Sequence, residues 1–234
     1  MSKITKEKFK TKHNVFDDFT NRTIFKLISE GHFDGLEGPI SIGKESNVFL
    51  AKKRNKNIVV KVYRVNSCDF NKMFDYIKSD PRYLDLKGRK RNIIFHWVQR
   101  EYRNLLKARK ANIRVPTPIV FKNHILVMEF IGQNNKIAPM LKDKTPENPK
   151  NFFNEIIKNI RKLYKAGLVH ADLSSFNILN LNDKPVFIDF SQCTSLQDQR
   201  AEEYIIRDIK NLCNFFRKQG LKLDEKKILQ KIKA

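Results

Sequence analysis

His170-Ala171-Asp172-Leu173-Ser174-Ser175-Phe176-Asn177 sets a histidine, an aspartate and an asparagine at the spacing H-x-D-x-x-x-x-N, and Ile188-Asp189-Phe190 follows after a short apolar stretch. Phosphoryl transfer asks for little covalent chemistry from a protein. It asks for a carboxylate beside the attacking group and for oxygen ligands that hold magnesium against the phosphates. Asp172 fits the first requirement, and Asn177 with Asp189 fits the second. The plain alternative is a polar loop that happens to precede a hairpin. It is disfavoured because other parts suited to the same chemistry lie upstream, in the order such a site requires.

Lys61 ends the β-branched run Ile58-Val59-Val60-Lys61-Val62-Tyr63, where a lone lysine would ordinarily snorkel to the surface. Glu101 argues for another role. Trp97, Glu101 and Leu105 recur every four residues, so the carboxylate shares a helix face with two large apolar groups. An unpaired buried charge costs several kcal/mol, on the order of 3–5. A strand lysine that grips phosphate and pairs with a helix glutamate meets both needs. A surface pair of Glu101 with Arg103 is the competing assignment.

Gly43-Lys44-Glu45-Ser46-Asn47-Val48 precedes the Lys61 strand as a phosphate-covering turn should. One glycine lets the backbone bend near phosphate, and the Ser46 hydroxyl can donate. Val48 would lie over the nucleotide from the same strand. Met128-Glu129-Phe130-Ile131-Gly132 reads as a connecting strand whose backbone at Glu129 and Ile131 could meet an adenine edge. Each piece alone is an ordinary hairpin or strand; the ordering makes them functional.

These residues need elements to position them. Periodicity predicts a helix over 20–30 stopped by Gly31, a strand–turn–strand over 40–50, and a strand over 58–63. Residues 66–92 read as a polar, irregular connection. A helix follows from Trp97 to Lys110, a strand from Ile125 to Ile131, and a linker over 132–150. Phe153, Ile156, Ile157, Ile160, Leu163 and Tyr164 mark a helix ended by Gly167. A hairpin turns around Asn182-Asp183-Lys184, and two helices follow, one with Ile205, Ile209, Leu212 and Phe216, the other with Ile228 and Ile232. A strand-rich first half and a helix-rich second half predict an α+β, two-lobed fold. We divide it as a basic arm over 1–19, an N-terminal lobe over 20–132 and a C-terminal lobe over 133–234.

Composition sets the setting. The chain has 234 residues, 18 of them Phe, and 41% hydrophobic content, enough for a packed core. Cys68, Cys193 and Cys213 form no paired or metal-type spacing, which suits a reducing compartment. The polar, lysine-rich start lacks a signal core and no stretch approaches a membrane span, so a cytoplasmic location is expected. The formal net charge of +22 favours phosphate-rich partners such as nucleic acid or a ribonucleoprotein. Lys3, Lys6, Lys8, Lys10 and Lys12 form a basic tail, and Lys87-Gly88-Arg89-Lys90-Arg91 a basic knot.

Taken together, the chain resembles the Rio-type atypical kinases, specifically the first Rio subfamily in a short archaeal-type form. The resemblance spans roughly 20–220 and rests on Gly43 to Phe49, Val60-Lys61-Val62-Tyr63, Trp97 with Glu101-Tyr102-Arg103-Asn104-Leu105, and Leu126 to Gly132. It continues through His170-Ala171-Asp172 to Asn177, Ile188-Asp189-Phe190-Ser191-Gln192, and the Arg207-Asp208 helix. It implies a protein-kinase-like fold that uses ATP and magnesium, with manganese as a substitute. Asp172 would be the catalytic aspartate, Lys61 the phosphate-binding lysine with Glu101 as its partner, and Asn177 and Asp189 the metal ligands. It also implies that Asp189 can accept phosphate, giving an ATPase cycle with serine/threonine autophosphorylation as a secondary activity, in maturation of the small ribosomal subunit. The expected partners are then ATP, the precursor particle and its RNA.

Departures from the family pattern are mild: Ala171 stands for a commoner Gly, and Ser175-Phe176 for Glu-Tyr. The segment before Gly43 is too short for the winged helix of the second subfamily. Only 45 residues follow Asp189, with no Asp-Phe-Gly or Ala-Pro-Glu, so we expect a shortened C-terminal lobe without an activation segment or peptide-docking helices. Ser174 stands where ordinary protein kinases carry a lysine, which disfavours standard transfer to a peptide hydroxyl. Two rival readings are a Bud-type small kinase of a tRNA-modification complex, which would read Ile-Asp-Phe-Gly-Leu, and a non-enzymatic RNA-binding assembly factor, which would have lost Lys61, Asp172 or Asp189.

Overall fold

The computed structural model describes residues 16–65, 68–78, 90–133 and 135–234. The basic tail and the Lys87 to Arg89 part of the knot lie outside the described residues. The chain forms two compact units, one from residues through Cys68 together with Ile119–Phe130, the other from Asp69–Pro118 and Ile131–Ala234.

The first unit is built on a five-stranded sheet of order β1-β2-β3-β5-β4, from β1 (Gly35–Ile42), β2 (Ser46–Lys53), β3 (Lys56–Tyr63), β4 (Pro118–Lys122) and β5 (Ile125–Glu129). Helix α1 (Asp18–Ser29) starts where the Asp17 carboxylate accepts from the Thr20 amide at 2.8 Å. It ends before Gly31, whose φ of 75° suits glycine. Its Ile24 and Leu27 pack with Phe49, Ala51, Val60, Val62, Ile125 and Val127. Each such buried side chain contributes roughly 1.5–3 kcal/mol. Strand alternation therefore commits Val60 and Val62 to the helix side, and turns Val59, Lys61 and Tyr63 to the opposite face. A bond of 2.9 Å between Thr20 Oγ1 and the buried His124 ring pins the helix to the β4–β5 turn.

The second unit carries α2 (Phe70–Lys78), α3 (Lys90–Lys110), α4 (Pro149–Lys165), α5 (Ala201–Arg217) and α6 (Glu225–Lys233). Two expectations are corrected here. The supposedly irregular stretch 66–92 contains α2 and the first turn of α3; Met73, Tyr76 and Ile77 recur at helical spacing and are all buried. The supposed linker 132–150 contains a small hairpin, β6 (Gly132–Gln133) with β7 (Lys136–Ile137), whose few residues give too short a pattern to read. Helix α4 is capped by Asn148, which accepts from the Asn151 amide at 3.0 Å, with Pro149 in its first turn. Its Phe153 meets Phe216 of α5 edge-on at 5.0 Å.

Short pairings complete this unit. β8 (Leu168–Val169) pairs with β11 (Thr194–Ser195), and β9 (Ile178–Leu181) with β10 (Lys184–Phe187). Asn182 and Asp183 join the latter pair with φ of 51° and 59°. Two successive positive φ values define the turn whose twist matches a tight hairpin, and Asn and Asp tolerate them best after glycine. The turn thereby fixes the register on both sides of the loop described next.

Candidate active site

The segment between β8 and β9 is folded by its own polar side chains. The Asn177 amide donates to the Asp172 carbonyl at 2.7 Å and to its carboxylate at 2.9 Å. The Asn177 amide nitrogen is thereby committed to Asp172, and its carbonyl oxygen is the atom left for a metal. Asp172 and Asn177 are each half-buried, open enough for a substrate to reach.

Two adjacent residues of α5 hold the loop from beneath. The buried Asp208 carboxylate accepts from the Ala171 amide and the Leu173 amide, each at 2.9 Å. The Arg207 guanidinium donates to the Ala171 carbonyl. Ala171 has a φ of 64°, a conformation that costs an alanine about 1–2 kcal/mol. The grip on both of its peptides is what offsets that cost. Burial pushes the Asp208 carboxyl up to about 7, against the pull of the two amides and Arg207. Burial opposes the charge on Arg207, yet its pKa stands above the ordinary value because Tyr76, Asp208 and Asp172 favour the ion.

His170 is 2% exposed. Burial holds its pKa down at about 4, against the opposing influence of Asp189 and of its bond to Ile188. The neutral ring donates from Nε2 to the Ile188 carbonyl at 3.1 Å and packs edge-on against Phe190 at 4.7 Å. It ties the loop to the segment that carries Asp189.

The β9–β10 hairpin brings that segment to Asn177. Ile178 and Phe187 are the last paired residues, and just beyond them the Ile188 amide donates to the main-chain carbonyl of Asn177 at 3.0 Å. Asp189 follows at once, with φ of 59°. Ser191 Oγ donates to Asp189 Oδ1 at 2.7 Å, which orients the carboxylate. Among the described residues, no group of three or more His, Cys, Asp or Glu side chains could hold a metal by itself. A carboxylate and an amide carbonyl are hard oxygen donors, and magnesium takes one or two such ligands with phosphates and water completing its shell. The donor set fits.

Glu101, on α3, is 1% exposed. One turn further on, the fully buried Asn104 donates to the carbonyls of Phe190 at 3.2 Å and Cys193 at 2.7 Å. The helix bearing Glu101 is thus fastened to the backbone after Asp189. Sequence reasoning assigned no role to Asn104, Asp208 or Ser191. A signal for Asp208 was available: it interrupts the apolar stripe of Tyr204, Ile205, Ile209 and Leu212, where an acid needs a partner.

The remaining candidates lie in the first unit, except Ile131. Val48 and Lys61 are direct cross-strand partners in β2 and β3, and Ser46 pairs with Tyr63. Lys61 is 5% exposed, and its ammonium lies 5.0 Å from the centre of the Tyr63 ring. The turn before Ser46 is tight: the Gly43 amide donates to the Ser46 carbonyl at 3.0 Å, and a Cβ on Gly43 would stand 3.0 Å from that same oxygen. Only glycine fits without a shift. Glu129 ends β5 opposite Ile58. In the second unit the Ile131 carbonyl accepts from the Ala138 amide at 2.9 Å.

An antiparallel five-stranded sheet in one unit, with a catalytic-type loop and a metal-type hairpin in the other, defines a protein-kinase-like fold of the α+β class. Residues 47–228 match the RIO domain, and the chain belongs to the RIO family. It is 40% identical to the RIO-type serine/threonine-protein kinase Rio1 of Haloferax volcanii, over 93% of this chain and 76% of that protein. It is 41% identical to the protein of that name from Methanocaldococcus jannaschii, over 97% and 78%. The human serine/threonine-protein kinase RIO1 is 32% identical over 90% of this chain but only 38% of its own length. The chain is an enzyme of this kinase class. The crystal structure of the Rio2 kinase–ADP/Mg2+–phosphoaspartate complex from Chaetomium thermophilum aligns with a TM-score of 0.68 at 23% identity, covering 86% of this chain and 61% of that one. At that identity the likeness carries the fold alone.

Proposed function

We propose that the chain binds ATP with magnesium and runs as an ATPase switch through an aspartyl phosphate at Asp189. The observation that supports this reading is the hydrogen-bonded run from Asp172 through Asn177 to Ile188, the neighbour of Asp189. Lys61 would hold phosphate with Glu101 as its partner, while Ser46 and Val48 cover the nucleotide. The backbone of Glu129 and Ile131 would meet adenine. Asn177 and Asp189 would hold the metal, which when bound supplies charge neutralisation on the phosphates.

In the first half of the cycle an Asp189 oxygen bonds to the γ-phosphorus as the bond to the β,γ-bridging oxygen breaks, releasing ADP. Water then cleaves the acyl phosphate, restoring the carboxylate and freeing inorganic phosphate. Asp172 would position that water and take its proton. The Ser191 hydroxyl on one Asp189 oxygen supports the role of Asp189, since it orients the carboxylate. The related Rio2 kinase described as an ADP/Mg2+-phosphoaspartate complex supports it as well.

The net charge of +22 supports a precursor of the small ribosomal subunit, through its RNA, as the partner that couples to this cycle. Serine/threonine autophosphorylation would be secondary. We retain 20–132 and 133–234 as the functional lobes, with 1–19 as a basic arm and the cytoplasm as the site of action. The RIO match weighs against the Bud-type reading, and the presence of Lys61, Asp172 and Asp189 weighs against a non-enzymatic assembly factor. The test is ATP turnover by the purified protein with and without small-subunit particles. Turnover that rises with the particles is expected. Turnover indifferent to them would remove the ribosomal assignment and leave a plain kinase.

A further inference from the structure

We infer that Tyr76 is a positioning residue for phosphoryl transfer, acting on Asp172 through Arg207, and that the docking of α2 on α5 sets the catalytic loop. The inference rests on the ATP-using reading above but concerns a residue outside that site.

The geometry runs through three contacts in one unit. Tyr76, 5% exposed, stacks on Tyr204 with ring centres 5.5 Å apart and planes 22° from parallel. Arg207 lies over the other participant, 5.0 Å from the Tyr204 ring centre, and a hydrogen bond joins it to the Tyr76 hydroxyl. The same guanidinium donates to the Ala171 carbonyl. That carbonyl belongs to the peptide whose nitrogen is that of Asp172. A second fastening keeps α2 in place: Arg200 donates to the Asp75 carbonyl at 3.0 Å and lies 5.5 Å from the Tyr76 ring centre.

Arg207 has a planar fork of donors and can serve two acceptors at once. Its position is therefore decided by both. Without the Tyr76 hydroxyl the guanidinium keeps the aromatic face of Tyr204 but loses one of the groups that aim it. Asp172 itself lies within electrostatic reach of Arg207, so a displaced guanidinium changes both the backbone and the field at the carboxylate. Ala171 is the weak point of the loop, because its left-handed backbone depends on outside bonds. A contact made by α2 is thereby transmitted to the residue that handles the proton.

The experiment compares wild type with Tyr76→Phe and Tyr76→Ala, measuring kcat and KM for ATP together with amide exchange at Ala171 and Leu173. Tyr76→Phe keeps the stacked ring and removes only the hydroxyl. We expect its kcat to fall roughly threefold to tenfold, the worth of one ordinary hydrogen bond, with KM within about twofold and Tm unchanged. Exchange at Ala171 and Leu173 should speed up relative to amides of β9. Tyr76→Ala should fall further and lose Tm through its cavity. Wild-type kcat and exchange in Tyr76→Phe would overturn the inference. So would a loss explained by a drop in Tm alone, which marks a structural residue. The exchange measurement needs no activity, so it separates failure of this relay from failure of the ATPase reading.

Discussion

Asn177 grips Asp172 twice, donating to its carbonyl at 2.7 Å and to its carboxylate at 2.9 Å. One side chain thus fixes both the backbone and the carboxylate of the residue proposed to act on the attacking group, and its own oxygen would be the proposed metal ligand. Loss of the Asn177 side chain and loss of the Asp172 charge should for that reason be separable. The first disturbs geometry and metal affinity together; the second leaves both nearly intact.

Asp172→Asn should keep ATP affinity and lose turnover by about 100-fold or more, the range spanned by a positioned acid–base group. Lys61→Ala should weaken nucleotide binding instead. Calorimetric titration with ATP and magnesium, alongside single-turnover kinetics, distinguishes the two. Normal turnover in Asp172→Asn would remove Asp172 from the mechanism.

Asp189 should become labelled by ATP carrying a radioactive γ-phosphate, and the label should leave on treatment with hydroxylamine or base. Acyl phosphates are labile to both, whereas serine esters survive hydroxylamine. Asp189→Asn should abolish the labile fraction while folding normally, because Asn also tolerates the left-handed backbone at this position. Label confined to serine in wild type would restore a plain serine kinase.

The pH dependence of stability should hide two opposed contributions. His170 has a folded pKa of about 4 against an ordinary 6.5, so its contribution is complete above 6.5 and is lost as pH falls towards 4. Asp208 has a folded pKa of about 7 against 3.8, so its contribution is complete below 3.8 and is lost as pH rises towards 7. Between about pH 4 and 6.5 the two slopes cancel. Asp208→Asn removes one of them, and its stability should fall with acid by about 1.4 kcal/mol per pH unit more steeply than wild type. Urea melts at pH 4.5, 5.5 and 6.5 would show this, and parallel pH profiles would refute it.

Binding to small-subunit particles should weaken steeply with salt, each neutralised phosphate adding about 0.7–0.9 to the log–log slope. Changing Lys87, Arg89, Lys90 and Arg91 to Ala should flatten that slope. An unchanged slope would move the RNA-binding surface elsewhere on the chain.

The internal contacts of the loop over 170–177 were legible because they are local. Asp172 and Asn177 are five residues apart in one motif, and the Asn182-Asp183 turn announces the hairpin that delivers Asp189. What was illegible is long-range. The bonds from Asp208 to Ala171 and from Asn104 to Phe190 span 37 and 86 residues, and no periodicity reports a partner at such a distance. Helix α2 was missed for a different reason. Its polar content hides a narrow buried face of Met73, Tyr76 and Ile77, and only packing on other helices gives that face its purpose. Pairing of Lys61 with Glu101 stands as a proposal drawn from chemistry, each residue being buried on its own element.

The dependence of Ala171 on α5 has a bearing on biosynthesis. Every residue proposed to touch ATP or metal is translated before Arg207 and Asp208, which lie 36 and 37 residues after the peptide they hold. A growing chain therefore passes through a stage in which its reactive carboxylates exist but their loop has no anchor. Strain at Ala171 disfavours the working conformation until that anchor arrives. On the proposed function, a nascent chain should therefore lack an ordered loop, and with it ATP turnover, until the late helix docks.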